Sequence, residues 1–137
     1  MSTQNNDVTI TTLMMAIGAF PVVTAQTILK EALEEMDKFH LGVACVVNNE
    51  GHLLGILTDG DIRRKLLSVQ KPLSAFFIDD AIKHAIVNPI VVSPSHSLSE
   101  SVVLMGKKRV WDLPVVKNNK LVGLLHLHPV VEALLSN

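Results

Sequence analysis

Residues 55–66 read "GILTDGDIRRKL", a charged stretch in a chain that is largely apolar. Asp59, Asp61, Arg63 and Arg64 fall where two apolar runs would otherwise meet. Residues 123–134 repeat the outline as "GLLHLHPVVEAL", with the acids and arginines gone. The repetition decides the fold, and the difference between the copies shows where to look for function.

The duplication extends outward from these two stretches. "PVVTAQTILKEALEEM", from Pro21, resembles "IVVSPSHSLSESVVLM", from Ile90. Val22, Val23, Leu29, Leu33 and Met36 fall on Val91, Val92, Leu98, Val102 and Met105, each 69 residues further on. "VACVVNNEGHLLGIL" likewise resembles "DLPVVKNNKLVGLL", with Gly55 falling on Gly123 after a one-residue gap. The chain therefore divides into a first repeat over 8–69, a linker over 70–78 near "SVQKPLSAFF", and a second repeat over 79–135.

Each repeat predicts the same elements. A short β-rich run follows a proline, Pro21 or Pro89. A helix follows, with Leu29, Leu33 and Met36 on one face at i, i+4 and i+7. The unbroken apolar run "VACVV" predicts a strand buried on both faces. "NNEG" and "KNNK" are turn chemistry and lead by a hairpin into "HLLGILT" or "KLVGLLHL", after which a second helix closes the unit. The fold class is α/β (α+β), with the order β-α-β-β-α written twice. A unit of about 60 residues buries too little surface alone. The two copies are therefore expected to pack sheet against sheet about a pseudo-twofold, with helices outside.

Composition narrows the function classes. Twelve basic and thirteen acidic residues leave a net charge of −1, so no basic excess points to nucleic acid. The single cysteine, Cys45, lies inside "VACVV"; it excludes a disulfide framework and suits a reducing compartment. No residue from Val8 to Leu29 is charged, but that span holds Pro21, Gln26 and five threonines. Its densely apolar part, "LMMAIGAFPVV", is half the length a bilayer requires. "MSTQNND" has no basic residue to begin a signal peptide. The expectation is a soluble, cytoplasmic chain with no membrane partner.

"TDGD" has two readings. Thr58 to Asp61 has the spacing of a capping box, which suits the start of a helix holding Ile62, Leu66 and Leu67. Capping explains the acids, but cations are unfavourable at the positive end of a helix dipole, and Arg63 and Arg64 follow at once. The other reading is a ligand site. Free N–H groups, a hydroxyl, a carboxylate and two arginines would suit a molecule carrying both a diol and an anion.

His126 and His128 form an H-x-H at the end of the last predicted strand, where i and i+2 share a face and could meet one metal or one ligand. No carboxylate or cysteine nearby in sequence completes a metal set, so no metal site is assigned. His40, His52, His84 and His96 are scattered at element ends. Lys107, Lys108 and Arg109 read as a solvated helix end, and Trp111 as core or interface. No serine sits in a nucleophile elbow, Cys45 has no evident base, and no glycine-rich phosphate loop is present. No enzyme mechanism can be built from these residues, and neither a catalytic residue nor a cofactor is expected.

The duplicated unit, with Gly55, Thr58 and Asp61 in G-h-x-T-x-x-D, resembles a pair of cystathionine-β-synthase (CBS) domains, the Bateman module. The resemblance covers the chain from about Val8 to Leu135. It implies that Thr58 and Asp61 contact the ribose and phosphate of a nucleotide, and that the module regulates a partner domain. The chain also resembles the carboxy-terminal CBS pair of D-arabinose 5-phosphate isomerases, which serve lipopolysaccharide synthesis; a related pair fused to sugar nucleotidyltransferases also carries "TDGDIRR". The resemblance implies a regulatory, non-catalytic module that senses an anionic nucleotide or nucleotide sugar such as CMP-Kdo, the activated sugar 3-deoxy-D-manno-octulosonate. Thr58, Asp59, Asp61, Arg63, Arg64, His126 and His128 would form its ligand contacts. Its implied partners are a sugar-isomerase domain in cis or trans and a second copy, as a homodimer or larger assembly. In the second copy Thr58 becomes His126, Asp61 becomes Pro129 and the arginines become Val131 and Glu132. Relatives with the H-x-H usually have an aspartate at the Pro129 position. The alternatives are an empty structural module and an adenine-nucleotide sensor.

Overall fold

The computed structural model describes residues 9–136. The elements in chain order are β1 (Met15–Ala16), β2 (Val22–Thr24), α1 (Leu29–Phe39), β3 (Val43–Val47), β4 (Leu53–Thr58), α2 (Asp59–Ser68) and α3 (Leu73–Phe77). They continue with β5 (Ile86–Val87), α4 (Leu98–Lys108), β6 (Asp112–Lys117), β7 (Lys120–His126) and α5 (Leu127–Leu135). The fold is mixed α/β, with two sheets and five helices among the described residues.

Two compact units result. One runs from Gly18 to Pro89; the other joins the residues up to Ile17 with those from Ile90 onward. The first unit holds a four-stranded sheet in the order β2-β3-β4-β5, with β2 parallel to β3 and the other pairs antiparallel. The second holds an antiparallel sheet in the order β1-β7-β6. The predicted β-α-β-β-α order is seen intact in the first copy. In the second copy the run at Ile90–Val92 forms no strand, only one parallel bridge from Val92 to Val115. The cause is Pro114. Its counterpart in the first copy, Cys45, donates its N–H to Pro21 O at 3.0 Å; proline has no such donor, so the ladder stops at Val92.

Short hooks ahead of each repeat carry the duplication further than "PVVT" suggests. A 3-10 turn at Ile10–Thr12 precedes β1, and a matching turn at Ala81–His84 precedes β5. The Ile10 N–H bonds His96 O, and the Ala81 N–H bonds Thr27 O at 2.8 Å, so the hooks dock at equivalent places. Each docks on the opposite copy: β1 pairs with β7 at Ala16–Gly123, and β5 pairs with β4 at Val87–Gly55. The two hairpin glycines make this possible. A Cβ at Gly55 would lie 2.9 Å from Ile86 O, and one at Gly123 would lie 2.9 Å from Met15 O.

Each unit has its own core. Leu29, Ala32 and Met36 of α1 pack with Ala44, Val46, Leu57, Ile62, Phe76 and Ala81. Leu98 and Met105 of α4 pack with Ile10, Val92, Leu113, Val115, Leu125 and Val130. All five β3 residues are buried, as a strand covered on both faces requires, and Cys45 is wholly enclosed. The expected linker carries α3, whose Phe76 is buried and tilts against the His84 ring at a centroid distance of 4.4 Å. His84 Nε2 meets Asp79 Oδ2 at 2.9 Å and Lys71 Nζ meets the same oxygen at 2.7 Å, pinning the hook turn to this segment. Lys71 and then His84 hold the Asp79 carboxyl below the usual aspartate value. No helix among the described residues is long and apolar enough to cross a membrane.

Candidate functional site

The helix start at Thr58 is a complete capping box. Asp61 Oδ2 accepts from the Thr58 N–H at 3.2 Å and from its hydroxyl at 2.8 Å, while Thr58 Oγ1 accepts from the Asp61 N–H at 3.2 Å. The other carboxylate oxygen accepts from Arg64 Nη2 at 2.9 Å. Asp61 is buried, so a carboxylate without its three contacts would be costly there. Gly60 gives the guanidinium its place: a Cβ there would come within 3.2 Å of Arg64 Nη2. Asp59 and Asp61 in the first turn compensate the arginine against the helix dipole.

The hydroxyl and the carboxylate that would suit a ligand are thus also the groups that cap α2. Thr58, Asp61 and Arg64 are bonded to one another, and the Asp59 N–H is held by Gly42 O at 3.0 Å. What remains open is the Asp59 carboxylate and the Arg63 guanidinium, both exposed. They stand four residues apart on one face of α2, yet make no ion pair with each other. The capping contacts and the two open charged groups are therefore carried by neighbouring residues.

Asp59 leans over Gly42, where an added Cβ would run into its carboxylate. Gly42 has no positive φ, so it is the missing side chain, not backbone freedom, that is used here. Beside them is a depression of about 350 Å³ lined by Leu33, Met36, Asp37, His40, Leu41, Gly42 and Asp59. The end of α1 supplies most of this wall. His40 closes that helix in the left-handed conformation, and the Leu41 N–H returns to Met36 O at 3.0 Å. Gly42, Asp37 and His40 were missed in the sequence, although setting Gly42 against Trp111 in the repeat alignment would have drawn attention to it.

The second copy is arranged differently. His126 ends β7 and Leu127 already begins α5, so His126 and His128 do not share a strand face; the H-x-H expectation is corrected here. His128 stands on the helix, 78% exposed, with Nε2 at 3.5 Å from Glu132 Oε1. The His126 Nδ1–H instead donates to Asp112 Oδ1 at 2.7 Å. Asp112 lies directly across the β6–β7 ladder from His126. Burial pushes the Asp112 carboxyl above the usual aspartate value, against the opposing effect of His126. Counting the hairpin back from "KNNK" would have found the pair. The α5 start has no side-chain cap, with Pro129 at its third position. Trp111 is exposed, not core, and Lys107, Lys108 and Arg109 lie exposed at the α4 end. No group of three or more His, Cys, Asp or Glu among the described residues could hold a metal ion.

Known proteins share this architecture. The chain is similar to the crystal structure of CBSX2 in complex with AMP, with a TM-score of 0.82 and 26% identity, covering 94% of this chain and 97% of that one. It is 36% identical to an uncharacterized protein of Helicobacter pylori strain J99 over 82% of its own length and 33% of that protein's. It is 27% identical to the arabinose 5-phosphate isomerase KdsD of Yersinia pestis, again over 82% of this chain and 33% of the relative. The chain thus spans about a third of these two relatives. The CBS domain profile matches residues 10–68 and 80–136, once on each copy. With both copies matched, the chain belongs to the CBS domain family.

Proposed function

We propose that this chain is a cytoplasmic regulatory module whose first copy binds an anionic nucleotide or nucleotide sugar, CMP-Kdo among them, and so controls a sugar-phosphate isomerase domain. The observation that carries this reading is the helix start of α2, where Asp59 and Arg63 stand unpaired on one face beside a depression. A carboxylate accepts from a ribose diol, and a guanidinium meets phosphate or carboxylate. Asp61, Thr58 and Arg64 then hold the binding face in shape. The AMP named with CBSX2 and the isomerase activity named for the Yersinia relative support the ligand class and the partner. A ligand shifts the partner only through its differential affinity for two arrangements, with typically ~1–3 kcal/mol of coupling.

A thermal-shift titration of the chain with CMP-Kdo, CMP, AMP and ATP tests this. Ligand at 100 times its dissociation constant adds ~2.7 kcal/mol, which raises the melting temperature by several degrees. Arg63→Ala removes the response without touching the capping box, whereas Asp61→Ala also loosens the fold. No shift with any nucleotide, or undiminished binding by Arg63→Ala, overturns the assignment. A second reading, a homodimeric assembly module, draws on Leu67 and Leu135, which occupy matching positions and are each 80% exposed. It predicts an assembly state that no nucleotide alters.

A further inference from the structure

We infer that Asp37 selects the base of the bound nucleotide: the depression receives an amino-bearing edge, so adenine and cytosine are preferred to hypoxanthine and uracil. The inference rests on the nucleotide reading above and adds the specificity of that site. A nucleotide presents base, ribose and phosphate in that order. Along the chain's surface the depression, Asp59 and Arg63 follow in the same order, because Asp59 belongs both to the depression and to the face of α2 that carries Arg63. The base therefore falls to the end of α1.

That end is apolar where a ring needs contact and acceptor-rich where its edge needs a partner. Leu33, Met36 and Leu41 give the apolar wall, and Asp37 the carboxylate. Asp37 and Asp59 have no hydrogen bond or ion pair from their side chains among the described residues, unlike the bonded trio of Thr58, Asp61 and Arg64. An ionised carboxylate can only accept. Adenine N6 and cytosine N4 offer N–H donors to it, while a carbonyl at the same place would face a negative charge. Stability does not explain Asp37, since an acid in the last turn of α1 opposes the helix dipole. The second copy has Gly106, Trp111 and Leu127 where the first has Asp37, Gly42 and Asp59, so base selection belongs to one copy.

The test is calorimetric titration of the chain with AMP, IMP, CMP and UMP, before and after Asp37→Asn. The wild-type chain should bind AMP over IMP and CMP over UMP by about tenfold, the worth of one base-edge contact. Asparagine can donate as well as accept, so Asp37→Asn should weaken AMP and CMP, strengthen IMP and UMP, and close the gap. Equal affinities in the wild-type chain, or a gap unchanged by Asp37→Asn, overturns the selection while leaving nucleotide binding in place. Silence with all four nucleotides overturns the nucleotide reading itself, and this inference with it.

Discussion

The starts of α2 and α5 occupy the same place in two copies of one unit, and they spend their polar groups differently. At α2, Thr58 and Asp61 close a capping box across one turn of helix. At α5, His126 stands where Thr58 does but turns across the sheet to Asp112. The backbone is the same in both: the Asp59 N–H bonds Gly42 O at 3.0 Å, and the Leu127 N–H bonds Trp111 O at 2.8 Å. The fold therefore does not depend on which polar pair anchors the helix. That leaves the first copy able to keep Asp59 and Arg63 open, while the second holds a part-buried carboxylate and an exposed tryptophan.

The largest effect expected from testing this comparison lies in what the copies share. Gly55→Ala and Gly123→Ala should each cost about 1–3 kcal/mol, because the new methyl meets the backbone oxygen of the docked hook at 2.9 Å in both. Chemical denaturation of the two variants measures it. If either is tolerated without loss, that hook is held by something other than its glycine contact, and the reciprocal exchange is not symmetric in energy.

The next effect separates the copies. Thr58→Ala should cost ~1 kcal/mol, the usual worth of an N-cap side chain. His126→Ala removes no cap; it leaves the part-buried Asp112 without its partner, at a cost of about 1–3 kcal/mol. Restoring His126→Ala with a second change, Asp112→Val, tells the two mechanisms apart. Valine is the residue at the equivalent position of the first copy, Val43. Recovery of stability in the double variant shows that the loss came from the orphaned carboxylate, and no recovery places it in the helix start itself.

How much of this was legible follows from the range over which each feature is encoded. The repeat, the helix faces and the capping box are local patterns, and "TDGD" contained the whole box within four residues. Missing strand pairing in the second copy also had a local cause, Pro114, but only the register against Val92 gives it meaning. The Asp112–His126 pair and the Gly42–Asp59 contact join residues that are 14 and 17 positions apart, and the exchanged hooks join residues still further apart. Such contacts depend on hairpin register and topology. Sequence periodicity carries neither. Which of the polar residues at the start of α2 are already engaged in the fold is visible only in three dimensions.

The smallest effect is a difference in pH slope between the two units. In the first, Asp79 is ionised more readily than usual because Lys71 and His84 bind its oxygen. That stabilisation is present above the ordinary value of 3.8 and is lost as pH falls through the lower folded value. In the second unit, Asp112 is ionised less readily than usual because burial disfavours its charge. Its contribution has the opposite sign: it is fully present below 3.8 and is lost as pH rises through the higher folded value. Acidification from neutrality should therefore first relieve Asp112 and only afterwards release Asp79. Denaturant midpoints measured across that range for Asp79→Asn and Asp112→Asn resolve the two. Asp79→Asn should flatten the steep loss below 3.8, and Asp112→Asn should remove the gain just above it. If both variants alter the same part of the curve, the two carboxylates are not held apart by their surroundings, and the contrast between the copies ends at geometry.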